Sequence, residues 1–294
     1  MKINKDCFEC DINQMKKISN YMKLDIEVEN NLLDITNNYL ANCDMSKTNP
    51  EIMGEIWRKI SEVIETDNPY KEVKSYYNNL LLSMEKDIES LISKSDNPDI
   101  LALKICIIGN LIDFAASHKF NENSLREMIN NTSNIKLEID DSKKMLKKIK
   151  DAKTLLYLGD NCGEIVSDKI FIKRLKLINP ELNVYYGVRG KTIVNDVTIE
   201  DANEVGINKV AKVISNGDGS LGTVLDRTSS EFRKIFKECD MIISKGQGNY
   251  EGLIGSSKEN IYFLFMAKCN LVARSIGVKT LSIVCLKNKA SLKL

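Results

Sequence analysis

The sequence predicts an α/β protein, a three-layer, doubly wound, mainly parallel sheet preceded by an all-helical N-terminal region. Two observations carry this. Apolar residues in the first half recur at spacings of three and four, and in the second half they gather into short runs bounded by Gly, Asp and Asn. Helical stretches separate several of those runs, which is the signature of parallel strands joined by crossover helices.

The helical stretches of the first half are 11–24, 29–41, 50–65, 70–93, 98–117 and 123–130. Ile52, Ile56 and Ile60 mark one apolar face, and Leu101, Ile105 and Ile108 another. Asn68-Pro69 and Asn97-Pro98 read as helix starts, with Asn as cap and Pro in the first turn. No convincing buried strand precedes residue 150. The strands expected after it are 154–160, 183–190, 209–215, 240–246, 261–266 and 278–284, with helices at 163–178, 229–238 and 267–276. The chain therefore divides near residue 150, into a helical region over 1–150 and an α/β domain over 151–294.

Composition narrows the function. Lys plus Arg number 42 against 41 Asp plus Glu, so no long-range field attracts a polyanion, and nucleic acid is not an expected partner. The run Lys143, Lys144, Lys147, Lys148 and Lys150 reads as the solvated face of a helix. No stretch of 18 apolar residues suggests a membrane span, and MKINKDCFEC has no apolar leader, so a cytoplasmic protein is expected. The eight cysteines are scattered and read as reduced thiols. Cys7 and Cys10 form a Cys-x-x-Cys pair for which packing, a second metal site and redox chemistry all remain open. The single histidine, His118, reads as a helix cap, and its isolation argues against Ser-His-Asp, Cys-His and His-rich dimetal hydrolases.

In doubly wound sheets ligands bind beyond the carboxyl ends of the strands, so the polar residues after each run are the candidates for chemistry. In GDNCGEIVSDK, Asp160 and Asn161 follow a strand and offer hard oxygen donors suited to Mg²⁺ or Mn²⁺, although taken alone this motif is better explained by an Asp/Asn helix cap. Glu164 and Asp168 share a helix face. In VRGKTIVNDVTIEDA, Arg189 closes a strand, and Asn195 and Asp196 precede a short helix containing Asp201. Asp196 can bring a third oxygen to the same metal or serve as a local cap. ISNGDGSLGTVLD has the glycines of an anion-cradling loop but not the spacing of a Walker A motif. SKGQGNYEGL places Lys245, Gly246 and Asn249 after another strand, where Lys245 or Asn249 can hold a phosphate. Lys268 follows the apolar run 261–266. Gathered at one sheet edge, oxygen donors, cations and glycine loops suit phosphoryl chemistry.

The set DN-x-GE, RG…ND-x-T-x-x-DA, NG…GT-x-LD, SKGQGN-x-E-x-L and AKC resembles the damage-control phosphatase family, long catalogued as domain of unknown function 89. CFEC, DNPYKEVKSYYN and GNLIDFA extend the resemblance over nearly the whole chain and look like its small prokaryotic branch. Cys162, Thr192 and Ser220-Leu221 depart from the usual motif residues, which bears on loop geometry and substrate preference. The resemblance implies a divalent metal (Mg, Mn, Co or Ni) held by Asp160, Asn161 and Asp196. It implies substrate contacts from Glu164, Arg189, Asn249 and Lys268, with the loop 245–249 beside the phosphate. The expected activity is hydrolysis of phosphomonoesters of small, including damaged, metabolites such as sugar phosphates. A non-catalytic phosphometabolite-binding protein and a carboxyl methyltransferase are the alternatives. A methyltransferase wants a close glycine turn where this chain has Asp160 and Asn161.

Overall fold

The computed structural model describes residues 1–109 and 122–289. Five helices come first: α1 (Lys5–Met22), α2 (Ile26–Ala41), α3 (Asn49–Val63), α4 (Lys71–Ser93) and α5 (Pro98–Ile108). The Asn4, Asp25 and Thr48 side chains cap the first three by accepting backbone N–H groups of the first turn. Pro98 opens α5 as expected, but Asn97 makes no side-chain cap bond, and α4 starts at Lys71, after an Asn68-Pro69 turn. The tail of the helix expected over 98–117, His118 and most of GNLIDFA lie outside the described residues.

After α6 (Glu122–Asn130) comes a strand that the periodicity does not reveal, β1 (Leu137–Asp140), then α7 (Ser142–Asp151). β1 is a sheet edge on which only Leu137 is fully buried, so no apolar run announces it. The rest alternates: β2 (Thr154–Leu158), α8 (Glu164–Ile178), β3 (Asn183–Val188), α9 (Ile199–Glu204), β4 (Lys212–Ser215), α10 (Ser230–Glu238), β5 (Met241–Lys245), α11 (Gln247–Leu253), β6 (Ile261–Met266), α12 (Asn270–Ile276) and β7 (Ile283–Lys287). The last strand lies later than the expected 278–284. Pairing antiparallel to β6 sets its register, with Val284 opposite Phe265.

The seven strands are ordered β1-β7-β6-β5-β2-β3-β4, and only β6 and β7 pair antiparallel. Successive β2 residues serve opposite faces. Leu155 and Tyr157 join a core with Leu81 and Met84 of α4, Leu103 and Cys106 of α5, and Ile165 of α8. Leu156 and Leu158 join another with Phe232 of α10, Tyr250 of α11 and Val272 of α12. This makes three layers, with both sheet faces covered, as parallel strands require. The helical region is not set apart from the sheet, because α4 and α5 supply one face of its core. The helices α1–α3 pack round a third cluster that includes Ile193 and Val194, from the loop after β3.

Candidate active site

The chain runs from β2 to β3 and β4 on one side, then to β5 and β6 on the other. The carboxyl ends of β2 and β5 therefore flank the switch point where doubly wound sheets open a crevice. Asp160 leaves β2 at this crevice, and Gly246 leaves β5. Gly246 has φ +79°, and a methyl group added to it would overlap the Asp160 carboxylate. The two strand ends thus approach as closely as a glycine allows.

The loops after β2 and β3 are sewn together. Asn161 and Asp196 form an isolated antiparallel bridge. Cys162 N–H donates to the Asn195 carbonyl at 3.0 Å, and Val197 N–H to the Asp160 carbonyl at 2.8 Å. Asn161 Nδ2 donates to Asp160 Oδ2 at 2.8 Å and to Glu164 Oε2 at 3.4 Å. Arg189 Nε donates to Asp196 Oδ2 at 2.6 Å, and its Nη2 stands 3.9 Å from Asp160 Oδ1. Burial pushes the Asp196 carboxyl up to about 7, with Arg189 pulling against it and the Asp160 charge adding to it. Two buried carboxylates and an amide oxygen on fixed loops are a donor set of the kind hard divalent cations take. Within the described residues, Arg189 Nη2 and Asn195 Nδ2 are buried without a hydrogen-bond partner, so the site keeps polar donors in reserve. Arg189 also lines a cleft of about 930 Å³ between the turn before α4 and the loops after β3, together with Arg58, Lys71 and Lys191.

The side chains of Lys245, the last residue of β5, and of Asn249 are spent on contacts within the protein. Lys245 is fully buried, and its Nζ donates to the Cys106 carbonyl at 2.7 Å, to Asp168 Oδ1 at 2.6 Å and to Glu164. Three partners use all three ammonium protons, so Lys245 has none left for a phosphate oxygen. Burial alone would push this ammonium down; Asp168 and Glu164 more than offset it and hold it above the usual lysine range. The Tyr157 and Tyr186 hydroxyls donate to the two Asp168 oxygens at 2.7 and 2.8 Å. The result is a closed network whose outer member, Glu164, faces Asn161. Asn249 is likewise committed. Its Nδ2 donates to the Gly159 and Lys245 carbonyls at 3.0 and 2.7 Å, and its Oδ1 accepts the Thr223 hydroxyl at 2.7 Å. It staples the ends of β2 and β5 to the glycine loop. That loop spends its own groups on the chain, the Asp218 carbonyl accepting the N–H groups of Gly190 and Lys191.

Lys268 follows β6, and its backbone N–H donates to Gln247 Oε1 at 2.8 Å. It lines a second cavity, of about 660 Å³, with Cys7, Cys10, Gln247, Glu251 and Cys269. Burial pushes Cys7 up to about 12 and raises Cys10. No group of three His, Cys, Asp or Glu side chains stands ready to hold a metal among the described residues, so the Cys7–Cys10 pair gathers no ligand set.

Burial also pushes Glu251 from 4.5 up to about 7, against the Gln247 hydrogen bond and the N-terminal ammonium. The folded value lies above the unfolded one, so this group's contribution is complete below about pH 4.5 and is lost as pH rises through about 7. Glu251→Gln is expected to flatten the stability–pH curve in that window and to exceed the wild type by up to about 3 kcal/mol at pH 8. Urea denaturation at a series of pH values measures this; parallel curves for the two proteins would refute it.

Sequence reasoning did not single out Lys74 or Asn78, polar residues on the buried face of α4. Their signal was a Lys and an Asn at helical spacing among core positions, within DNPYKEVKSYYN.

Residues 3–284 match the family model described as the damage-control phosphatase ARMT1-like domain. A damage-control phosphatase of Pyrococcus horikoshii is 34% identical over 294 residues, covering 99% of this chain and all of the relative. One from Archaeoglobus fulgidus is 32% identical, covering 95% of this chain and 96% of its own length. The crystal structure of a DUF89 family protein from Pyrococcus horikoshii superimposes with a TM-score of 0.88 at 33% identity, covering 98% of this chain and all of that one. With the match spanning helical region and sheet alike, this chain belongs to the ARMT1-like damage-control phosphatase family.

Proposed function

We propose that this protein is a divalent-metal-dependent phosphatase that hydrolyses phosphomonoesters of small metabolites, sugar phosphates and damaged metabolites among them. The observation that carries this reading is the meeting of Asp160, Asn161 and Asp196 at the sheet's switch point, beside Arg189. Asp160, Asn161 and Asp196 would hold the cation, which would supply charge against the phosphate oxygens.

The chain's own residues supply the rest. Asp196 fixes the Arg189 guanidinium through Nε, leaving Nη2 to meet a phosphate oxygen. Lys268, which follows β6 and lines the neighbouring cavity with Gln247, is the second cation that the family resemblance puts on the phosphate. Glu164, held by Lys245, sits where it orients the Asn161 amide. The cleft beside Arg189 is large enough for a sugar-sized leaving group.

The test is a screen of purified protein against phosphorylated metabolites with Mg²⁺, Mn²⁺, Co²⁺ or Ni²⁺ added singly after treatment with chelator. Phosphate release that disappears with chelator and returns with one of these ions is expected. Binding of a sugar phosphate without release would favour a binding protein, and calorimetric binding of S-adenosylmethionine would favour a transferase. Among the described residues no helix is long and apolar enough to cross a membrane.

A further inference from the structure

The helix α4 belongs to the helical region, yet it reaches both loops that carry Asp160, Asn161 and Asp196. Asn78 Oδ1 accepts the N–H of Gly163, two residues beyond Asn161, at 2.7 Å. Gly163 has φ +79°, so its N–H is presented from a turn that side-chain-bearing residues rarely adopt. Asn78 Nδ2 donates to Glu204 Oε2 at 3.0 Å, and the Ser75 hydroxyl donates to Glu204 Oε1 at 2.5 Å. One helical turn earlier, Lys74 Nζ lies 2.7 Å from Asp201 Oδ2 and forms an ion pair with it. Asp201 also accepts the backbone N–H and the hydroxyl of Thr198, two residues beyond Asp196, at 2.8 and 2.7 Å.

Lys74 and Asn78 are 1% and 0% exposed. A buried ammonium and amide contribute less to folding than apolar side chains of the same size would, because their desolvation must first be offset. What they supply here is direction. Asn78 fastens the loop after β2, and Lys74 fastens the loop after β3 through the cap of α9, both from adjacent turns of one rigid helix. Outer partners of this kind set the orientation of metal ligands.

We propose that Lys74 and Asn78 are positioning residues that lock the loops bearing Asp160, Asn161 and Asp196 in register, making α4 a working part of the active site. The proposal rests on the metal reading of those three residues. It is tested in the full-length protein with Asn78→Leu and Lys74→Met, against Ile88→Ala as a control. Ile88 is a core residue of the same helix, 1% exposed and ten residues beyond Asn78, whose loss is expected to lower stability. Hydrogen exchange is followed in chelator-treated protein, and Mn²⁺ affinity by calorimetry.

Both variants are expected to exchange at least tenfold faster at residues 161–163 and 195–198, with β5 and β6 unchanged. The Mn²⁺ Kd should rise by roughly 10- to 100-fold. Ile88→Ala should alter neither loop exchange nor Kd. Should the buried variants fail to fold, Glu204→Ala, at the exposed end of the network, is expected to give the same pattern in weaker form. Wild-type exchange in both loops, or equal loosening by Ile88→Ala, overturns the proposal. Loosened loops in a protein whose wild type binds no Mn²⁺ would sink the metal assignment and leave the fastening supported.

Discussion

Gly246→Ala is expected to lower kcat/KM at least a thousandfold, as much as is expected of Asp160→Ala, although Gly246 brings no functional group to the site. The added methyl would overlap the Asp160 carboxylate, and the positive φ at this position already strains any residue with a Cβ. Either the carboxylate moves off the crevice or the end of β5 moves away from β2. Both break the geometry that Asn161 Nδ2 and the Asp196 bridge enforce. A thousandfold loss corresponds to about 4 kcal/mol of transition-state stabilisation, the upper end of what one misplaced electrostatic group costs. Steady-state kinetics on any hydrolysed phosphate ester decides it, with far-UV circular dichroism confirming that both variants fold. A Gly246→Ala enzyme within tenfold of wild type would show that Asp160 does not work from the position found.

Lys245→Met is expected to cost about 3–5 kcal/mol of folding stability, the typical penalty for stripping one partner from a buried ion pair. The methionine fills the space, but Glu164 and Asp168, both fully buried, lose their cation and the Cys106 carbonyl loses its donor. The two tyrosine hydroxyls on Asp168 remain and offset only part of this. Thermal unfolding should fall by roughly 10 °C for a chain of this length. Adding Glu164→Gln and Asp168→Asn to Lys245→Met removes the uncompensated charge and should recover part of the loss. A single variant that melts with the wild type would mean that the network is hydrated in solution. The comparison also separates two roles for Lys245, because a phosphate-holding lysine would cost activity and little stability.

The α/β class, the helical first half and the strands β2 to β6 were legible in the sequence, because burial writes itself into period, whereas β7 was expected to start five residues too early. A strand covered on both faces, such as β6 with IYFLFM, has to be apolar throughout, and α3 shows its buried face at every third or fourth residue. The clustering of Asp160, Asn161, Arg189 and Asp196 was legible for a related reason. Parallel strands deliver their carboxyl ends to one edge, so residues distant in sequence become neighbours by topology alone.

What remained hidden depended on partners that periodicity does not encode. β1 is an edge strand whose pairing with β7 lends it order that its composition does not announce. The segment 245–249, which the family resemblance implies is a loop, leads into α11 instead, where Asn249 is stapled to the ends of two strands and Tyr250 packs against Phe263 and Phe265. Lys245 and Asn249, which by residue type look like phosphate ligands, spend their hydrogen-bonding groups inside the protein. Lys74 and Asn78 reach the site from a helix more than eighty residues away in sequence. The sequence by itself determined which residue types stand at the ends of which strands, since solvent and backbone geometry act locally. Only the tertiary structure decided which of those polar groups are consumed by one another and which are left to meet a ligand, because that depends on distances between segments the chain connects only through its fold.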